Sequence, residues 1–290
     1  MGRQIFMYLL FDIGGTNMRL AVSEDGHVIS KTEIVPTPHA YEEGIKLFVK
    51  TARHLLGSNT GSSDKKLKSV VGGIAGPVDH KNNSLLGGTN MEDWIGKPFG
   101  ADISAALSGG DGTNGAGVPV VLQNDASMAA LGEAMVGAGK GFDIVAYITI
   151  GTGVGGARVV NGQIDSSSVG FEPGHQMVDL HHTLEDYVSG AAVEKATGKK
   201  PKEITDPIFW DEIAKILAFG LANTAVHWSP DVIVLGGSMI TGDPAIPIGA
   251  VEKHLKEILK IYPELPVIKK AKLGNIGGLL GALEYSNNKK

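Results

Sequence analysis

The apolar and polar positions of this chain fall into two similar series. Residues 5–11 are an almost unbroken apolar run closed by Asp12, residues 18–22 alternate, Asp25-Gly26 marks a hairpin turn, and residues 27–35 alternate again. This reads as a three-stranded meander ended by Pro36 and Pro38. Ile45, Phe48, Val49, Ala52 and Leu56 recur at helical spacing and predict a helix over 40–57. Residues 67–74 read as a buried strand running into the turn Gly76-Pro77-Val78-Asp79. Helices are predicted near 98–108 and over 126–137, on either side of a strand at 118–124. Two polar stretches rich in Gly and Ser, 58–66 and 108–117, read as loops.

Near residue 143 the series restarts. Residues 142–164 read as two strands around a glycine turn, with Asn161-Gly162 a second hairpin. Helices follow near 183–197 and over 207–228, then a buried strand at 231–236, a helix over 247–260, a strand at 266–273 and a final helix over 277–286. The repeated order predicts two α/β domains, 1–138 and 139–276, with the helix of 277–290 packing back on the first. Each domain would begin with a hairpin whose first turn is glycine-rich. A cleft between the domains would then hold both turns.

Composition narrows the class. The chain has 290 residues, a net charge of -5 and no cysteine. The acidic balance argues against a basic nucleic-acid-binding face, and no apolar run is long enough to cross a bilayer. The missing cysteines fit a reducing cytoplasm, the expected location, and leave no thiolate metal ligands. The 41 glycines cluster at the ends of apolar runs, where a backbone or a ligand can come close.

Two of those clusters share a design, Asp12-Ile13-Gly14-Gly15-Thr16-Asn17 and Gly151-Thr152-Gly153-Val154-Gly155-Gly156. Bare backbone N–H groups can cradle an anion, and Thr and Asn add donors. Asp12 would hold Mg²⁺ beside the phosphates, directly or through a water. Either turn alone is equally well a tight hairpin turn. Neither is a Walker motif or a Rossmann fingerprint. Together, one at the head of each half, they favour a two-part phosphate clamp.

This pair of turns resembles the actin, heat-shock-chaperone and sugar-kinase superfamily. More narrowly the chain resembles the repressor, open-reading-frame and kinase (ROK) family of sugar kinases, and the glucokinases within it, from Leu10 to the "GGLLGALEY" of 277–285. The resemblance implies a two-domain, actin-like (ribonuclease H-like) α/β fold with ATP between the turns. It also implies that Gly236, Gly237 and Ser238 approach the adenosine; by pattern alone they are the glycine end of a buried strand.

Asn124-Asp125 stands where a strand stops and a helix starts. Asp125 there is either a helix N-cap or a carboxylate placed to take a proton from a sugar hydroxyl. In the resembled family the Asn-Asp-Ala motif supplies the catalytic base, which assigns Asp125 that role and makes Asn124 a sugar ligand. By the same resemblance Glu172 and His175 of E-x-G-H, Glu185 of L-E-x-Y-x-S-G, and Asn90 of N-x-x-x-W bind sugar. Each has a plain alternative as a turn charge, a helix-surface acid or a loop amide. Gly76-Pro77-Val78-Asp79 is read as shaping the site.

The implied function is transfer of the γ-phosphate of ATP to the 6-hydroxyl of a hexose, with glucose first, a place in glycolysis and a homodimer. Mannose, fructose and N-acetylhexosamines are the alternatives. Repressors of the family carry an N-terminal DNA-binding helix pair, for which the residues ahead of the first strand offer no room, so no nucleic-acid partner is expected. A sugar-binding regulatory protein without catalysis is the reading from another class.

The sequence departs from the family at one place. Most members carry a cysteine-bearing loop that holds structural zinc between the His of E-x-G-H and the pocket Glu. Here Gly174–Gly190 joins the two motifs directly, and no structural zinc is expected. Adjacent His181 and His182 are read as solvated, and packing by Val178, Leu180, Leu184 and Tyr187 is expected to take the place of the metal. Zinc chelation should therefore leave phosphorylation intact once Mg²⁺ is replenished. A loss that only added zinc restores would overturn this expectation.

Overall fold

The computed structural model describes residues 5–57, 65–88, 91–108 and 117–288. The two polar loops expected at 58–66 and 108–117 fall mostly outside those residues, except that Lys65 and Lys66 open a strand. The chain divides into two compact units. The first runs to Gly132 and takes in Ser168–Gly170 and the chain from Ile276, and the second comprises Glu133–Ser167 and Phe171–Asn275.

In the first unit β1 (Ile5–Ile13), β2 (Asn17–Ser23) and β3 (Lys31–Pro36) form the expected antiparallel meander. α1 (Tyr41–Leu56) leads to β4 (Lys65–Ile74), parallel to β1. A small hairpin follows, β5 (Val78–Asp79) with β6 (Ser84–Leu85), then α2 (Phe99–Leu107) and β7 (Val120–Asn124), parallel to β4. The sheet order is β3-β2-β1-β4-β7. α3 (Asp125–Met135) leaves its last strand.

The second unit repeats this plan. β8 (Ile144–Ile150), β9 (Val154–Val160) and β10 (Gln163–Ile164) form its meander. α4 (Glu185–Val188), α5 (Gly190–Thr197) and α6 (Pro207–Trp228) precede β11 (Val232–Gly236). α7 (Ser238–Thr241), α8 (Ile248–Ile258) and β12 (Val267–Lys270) complete it. The order β10-β9-β8-β11-β12 matches the first sheet position for position. α9 (Gly277–Asn288) belongs to the first unit.

Each sheet is covered on both faces, which is why its inner strands read as continuous apolar runs. Leu9, Phe11 and Ile13 of β1 enter one core with Phe48 of α1 and Phe99 of α2. Tyr8 and Leu10 point the other way, to Met128 of α3 and Leu279, Ala282 and Leu283 of α9. In the second unit Ile213, Leu217 and Leu221 of α6 and Val251 and Leu255 of α8 bury against Ile148, Ile233 and Leu235. The edge strands β3 and β12 carry Lys31, Glu33, Lys269 and Lys270, charges that discourage pairing with another chain.

Three elements depart from the sequence expectation. β3 begins at Lys31 rather than His27, because the Asp25 carboxylate accepts the N–H groups of His27 (2.7 Å) and Val28 (3.0 Å) and widens the turn. The Gly76–Asp79 turn does not simply end a strand but opens the β5–β6 hairpin. The single helix expected over 183–197 breaks at Ser189, whose extended backbone and hydroxyl cap α5 through Ala192 N–H at 3.1 Å. Among the described residues no helix is long and apolar enough to cross a membrane.

α3 and α9 meet at Gly281, where an added Cβ would overlap the Met128 carbonyl oxygen and stand 3.0 Å from Gly132 N. Neither helix backbone can yield without disturbing the buried side chains around it. Gly281→Ala should therefore lower the unfolding free energy by about 1–3 kcal/mol, the usual cost of overpacking. Urea denaturation measures this, and a change below about 0.5 kcal/mol, the scale of a neutral surface substitution, would refute the packing argument.

Candidate functional site

In the first unit the register of three strands sets the geometry. Asp12 of β1 lies opposite Gly73 of β4, and Gly73 lies opposite Gln123 of β7. Asp12 and the Asn124-Asp125 pair thus stand at the carboxyl ends of strands two apart, about 10 Å at the usual strand spacing. Strand ends of this kind are where α/β sheets bind ligands. The glycine turn between β1 and β2 is closed by Gly14 N–H to Asn17 O at 3.0 Å. The Thr37 hydroxyl donates to Gly14 O at 2.6 Å and Thr37 N–H to Thr16 O at 2.9 Å. Thr16 is exposed and Asn17 half-buried, so both stand at a solvent-reachable edge.

Asp12 is paired with Arg19, Nη1 to Oδ2 at 3.2 Å, a partner not singled out from the sequence. Only the register of the β1–β2 hairpin, which sets Asp12 opposite Arg19, reveals it. Burial pushes the Asp12 carboxyl above the usual carboxylate range, and Arg19 opposes this without cancelling it. A carboxylate still under-compensated gains from a further cation, so Asp12 would suit a nearby Mg²⁺. The N-terminal turn of α9 approaches the same carboxylate, with a Cβ at Gly278 falling 3.2 Å from Asp12 Cγ.

The cap of α3 is Asn124 rather than Asp125. Its Oδ1 accepts Ser127 N–H at 3.0 Å and its amide donates to Gly76 O at 3.0 Å, tying the β4 exit to the start of α3. Those bonds occupy much of the amide that the resemblance assigns to sugar. Asp125, half-buried, accepts the N–H of Ala126 at 2.8 Å. It reaches this place because β4 has no side chain at Gly73, where a Cβ would stand 2.7 Å from Asp125 Cα. A glycine pair inside a strand signals such an approach, although its object is invisible in the sequence. Asn90 lies outside the described residues.

In the second unit three predicted sugar residues come together. Glu172 precedes and His175 ends the helical turn Pro173–His175, whose proline lies on β9 where Gly156 leaves room for its ring. Desolvation raises the Glu172 carboxyl, His175 lowers it and the Glu185 carboxylate raises it again, so all three are electrostatic neighbours. Glu185 also accepts Val154 N–H at 2.6 Å, and a Cβ at Gly153 would stand 2.7 Å from its Oε2. Glu185 is thus built into the second glycine turn. That N–H is committed to a carboxylate, and an anion at Gly153 would face a like charge.

The remainder of that turn is held from behind. Gly190 N–H donates to Gly151 O at 2.7 Å and Ala191 N–H to Thr152 O at 3.2 Å, fixing it to the start of α5. Gly155 lies within β9 opposite Thr149. Gly236 pairs with Thr149 from the other side, and Gly237, at φ 83°, leaves no space for a Cβ against the Ile150 carbonyl. Ser238 follows, its Oγ 3.9 Å from a Cβ placed on Gly151. The second glycine turn and Gly236–Ser238 therefore gather at the end of β8.

Gln176–Leu184, where relatives would carry cysteines, is a short hairpin. Val178 and Tyr187 are partly buried against the core and Leu184 fully, but Leu180 is 89 % exposed and does not pack as expected. Asp179 supplies the missing restraint. Its carboxylate accepts from His181 N–H (2.7 Å), His182 N–H (2.8 Å) and the Tyr187 hydroxyl (2.6 Å), with the His182 ring at 3.1 Å. Among the described residues no three His, Asp or Glu side chains are grouped to hold a metal.

A profile of the ROK family matches residues 8–288. The N-acetyl-D-glucosamine kinase of Mannheimia succiniciproducens is 31% identical over 316 aligned positions, covering 94% of this chain and 96% of the relative. Among solved structures, the ROK hexokinase of Thermus thermophilus superposes with a TM-score of 0.78 at 25% identity, covering 98% of this chain and 99% of that one. A ROK glucokinase of Streptomyces griseus, solved with glucose and AMPPNP, gives 0.74 at 25% identity over 97% and 98%. The α/β actin-like ATPase fold implied by the sequence is the fold of this chain.

The Tyr187 hydroxyl and the two amides hold the Asp179 carboxyl well below its ordinary value of 3.8. A depressed carboxyl contributes stability that is present above the unfolded value and lost as pH falls below it. In Asp179→Asn, hydrogen exchange at His181 and His182 should be faster than in wild type at pH 7. The difference should shrink as pH drops below 3.8. Equal exchange at pH 7 would remove Asp179 as the restraint.

Proposed function

The chain belongs to the ROK family, and from that premise we propose that it is an ATP-dependent sugar kinase acting on the 6-hydroxyl of a hexose. The observation that carries this reading is Asp125. A carboxylate begins a helix at the end of β7, on the same strand-end edge as the glycine turn headed by Asp12. Phosphoryl transfer asks for positioning and charge compensation more than covalent chemistry, and both units are rich in rigid donors and fixed carboxylates.

In this reading Asp125 accepts the proton of the 6-hydroxyl, and that oxygen forms the new bond to the γ-phosphorus as the bond to the β,γ-bridging oxygen breaks and ADP leaves. Glu172, His175 and Glu185 bind and orient the sugar hydroxyls, the carboxylates as acceptors and the imidazole in either role. Asn124 acts chiefly by holding the start of α3. Gly15, Thr16 and Asn17 in one unit, and Thr152 in the other, offer N–H, hydroxyl and amide groups to phosphate oxygens, whereas Gly14 N–H and Gly151 N–H close their own turns. Asp12 would hold the cation. Bound Mg-ATP supplies the transferable phosphoryl group and the positive charge that offsets it.

Identity orders the substrates. The family resemblance favours glucose, but an N-acetyl-D-glucosamine kinase is 31% identical to this chain, whereas the solved glucokinase stands at 25%. N-acetyl-D-glucosamine is therefore the first candidate and glucose the second. A homodimer remains part of the proposal by resemblance.

The test is ADP release from Mg-ATP with glucose, mannose, fructose, N-acetylglucosamine and N-acetylmannosamine, wild type beside Asp125→Asn. One or two sugars should stimulate release, and the variant should lose about 10²–10⁴-fold, the span of a general base. Thermal stabilisation by a sugar without ADP release would instead favour a regulatory binding protein. A variant within threefold of wild type would exclude Asp125 as the base.

A further inference from the structure

Glu133 ends the motif "NDASMAALGE" and has no part in the proposed chemistry, yet it is 1% exposed. It sits in the last turn of α3 and opens the second unit. Its Oε1 accepts Lys272 N–H at 2.8 Å and Leu273 N–H at 2.7 Å, and its Oε2 accepts Ala138 N–H at 2.7 Å. Its own carbonyl takes Gly137 N–H (3.2 Å) and Gly139 N–H (2.9 Å), so the turn leaving α3 wraps around it. A buried carboxylate that accepts three amides is a rigid clamp, because releasing any one leaves an unpaired group in the interior.

The clamped segments matter for what lies at their far ends. Lys272-Leu273 leads through Gly274–Ile276 into α9, whose Gly278 approaches Asp12 and whose Gly281 abuts the Met128 carbonyl of α3. At its other end α3 carries Asp125. Met128 and Glu133 are five residues apart on α3, about 7.5 Å of helix. With one point of attachment a helix can pivot or slide, and with two it cannot.

We infer that Glu133 is a positioning residue. Its clamp fixes α3 against the segment entering α9, and so fixes where Asp125 stands relative to Asp12. The inference rests on the proposed reading of Asp125 for its catalytic consequence, although the mechanical claim is independent of it. Displacement of a reacting group by an ångström is enough to cost two orders of magnitude in rate.

The test compares Glu133→Gln, the milder Glu133→Asp and, as a control for simple destabilisation, Ile213→Val in the core of the second unit. Hydrogen exchange on the ligand-free protein reads the first turn of α3, where Ala126 and Ser127 N–H are held by Asp125 and Asn124. Both Glu133 variants should speed exchange at 126–128, roughly tenfold in Gln and less in Asp, and the control should not. With an active sugar, kcat of Glu133→Gln should fall at least roughly tenfold while KM for sugar and ATP stays within about twofold. Acceleration confined to 136–139 and 271–274, in whichever variant folds, would overturn the inference. If the wild type phosphorylates no sugar, the kinase reading fails separately and the exchange data still decide this one.

Discussion

At Gly73 the backbone of β4 runs so close to the first residue of α3 that a Cβ would stand 2.7 Å from Asp125 Cα. The candidate base stands at the sheet edge because nothing occupies that volume. The same constraint recurs at Gly278 beside Asp12, at Gly281 between α9 and α3, and at Gly153 beside Glu185. At Gly73 and Gly281 backbone meets backbone at a distance that only a missing side chain permits, and at Gly278 and Gly153 a carboxylate comes close. At Gly73 and Gly281 glycine is therefore a packing requirement, whereas an added Cβ at Gly57, Gly96, Gly141 or Gly249 would meet open space.

Close backbone approach also explains how the acids are held. Glu133 accepts three amides, Asp179 two, and Glu185 one. Amide donors cannot swing away as a Lys or Arg side chain can, so a carboxylate bound this way keeps its direction. Asp12 differs. Its partner is the Arg19 side chain at 3.2 Å, and burial still outweighs it, which would suit the cation-binding role proposed for it. Within one fold, fixed acids and an adaptable one are distinguished by whether amides or a side chain face them.

The hairpin at Gln176–Leu184 shows how a family loop can be replaced. Where a metal would cross-link several chain segments, here one exposed carboxylate gathers two amides and a tyrosine hydroxyl, while Leu184 anchors the base in the core. Tyr187 lies on the same short helix as Glu185, so this network and the proposed sugar-binding acid share one element.

Strand and helix periods, the repeat and the two glycine turns were legible in the sequence, because local patterning and the twofold element order leave little choice of class. Asp12, Asp125 and the Glu172–His175 turn were found from motif and family resemblance, and the structure puts them at strand ends and on one turn. What the sequence could not contain is pairing between distant residues. Arg19 against Asp12, Glu185 inside the glycine turn, Asn124 as the cap and Glu133 against Lys272 all depend on register and helix placement, and neighbouring residues carry no trace of them. The break at Ser189 has the same origin, since Gly190 is drawn to Gly151, thirty-nine positions earlier. Local sequence determined which elements form and where glycine is needed. Tertiary packing alone decided which carboxylates are locked by amides and which stay available, because that depends on which backbone arrives beside them.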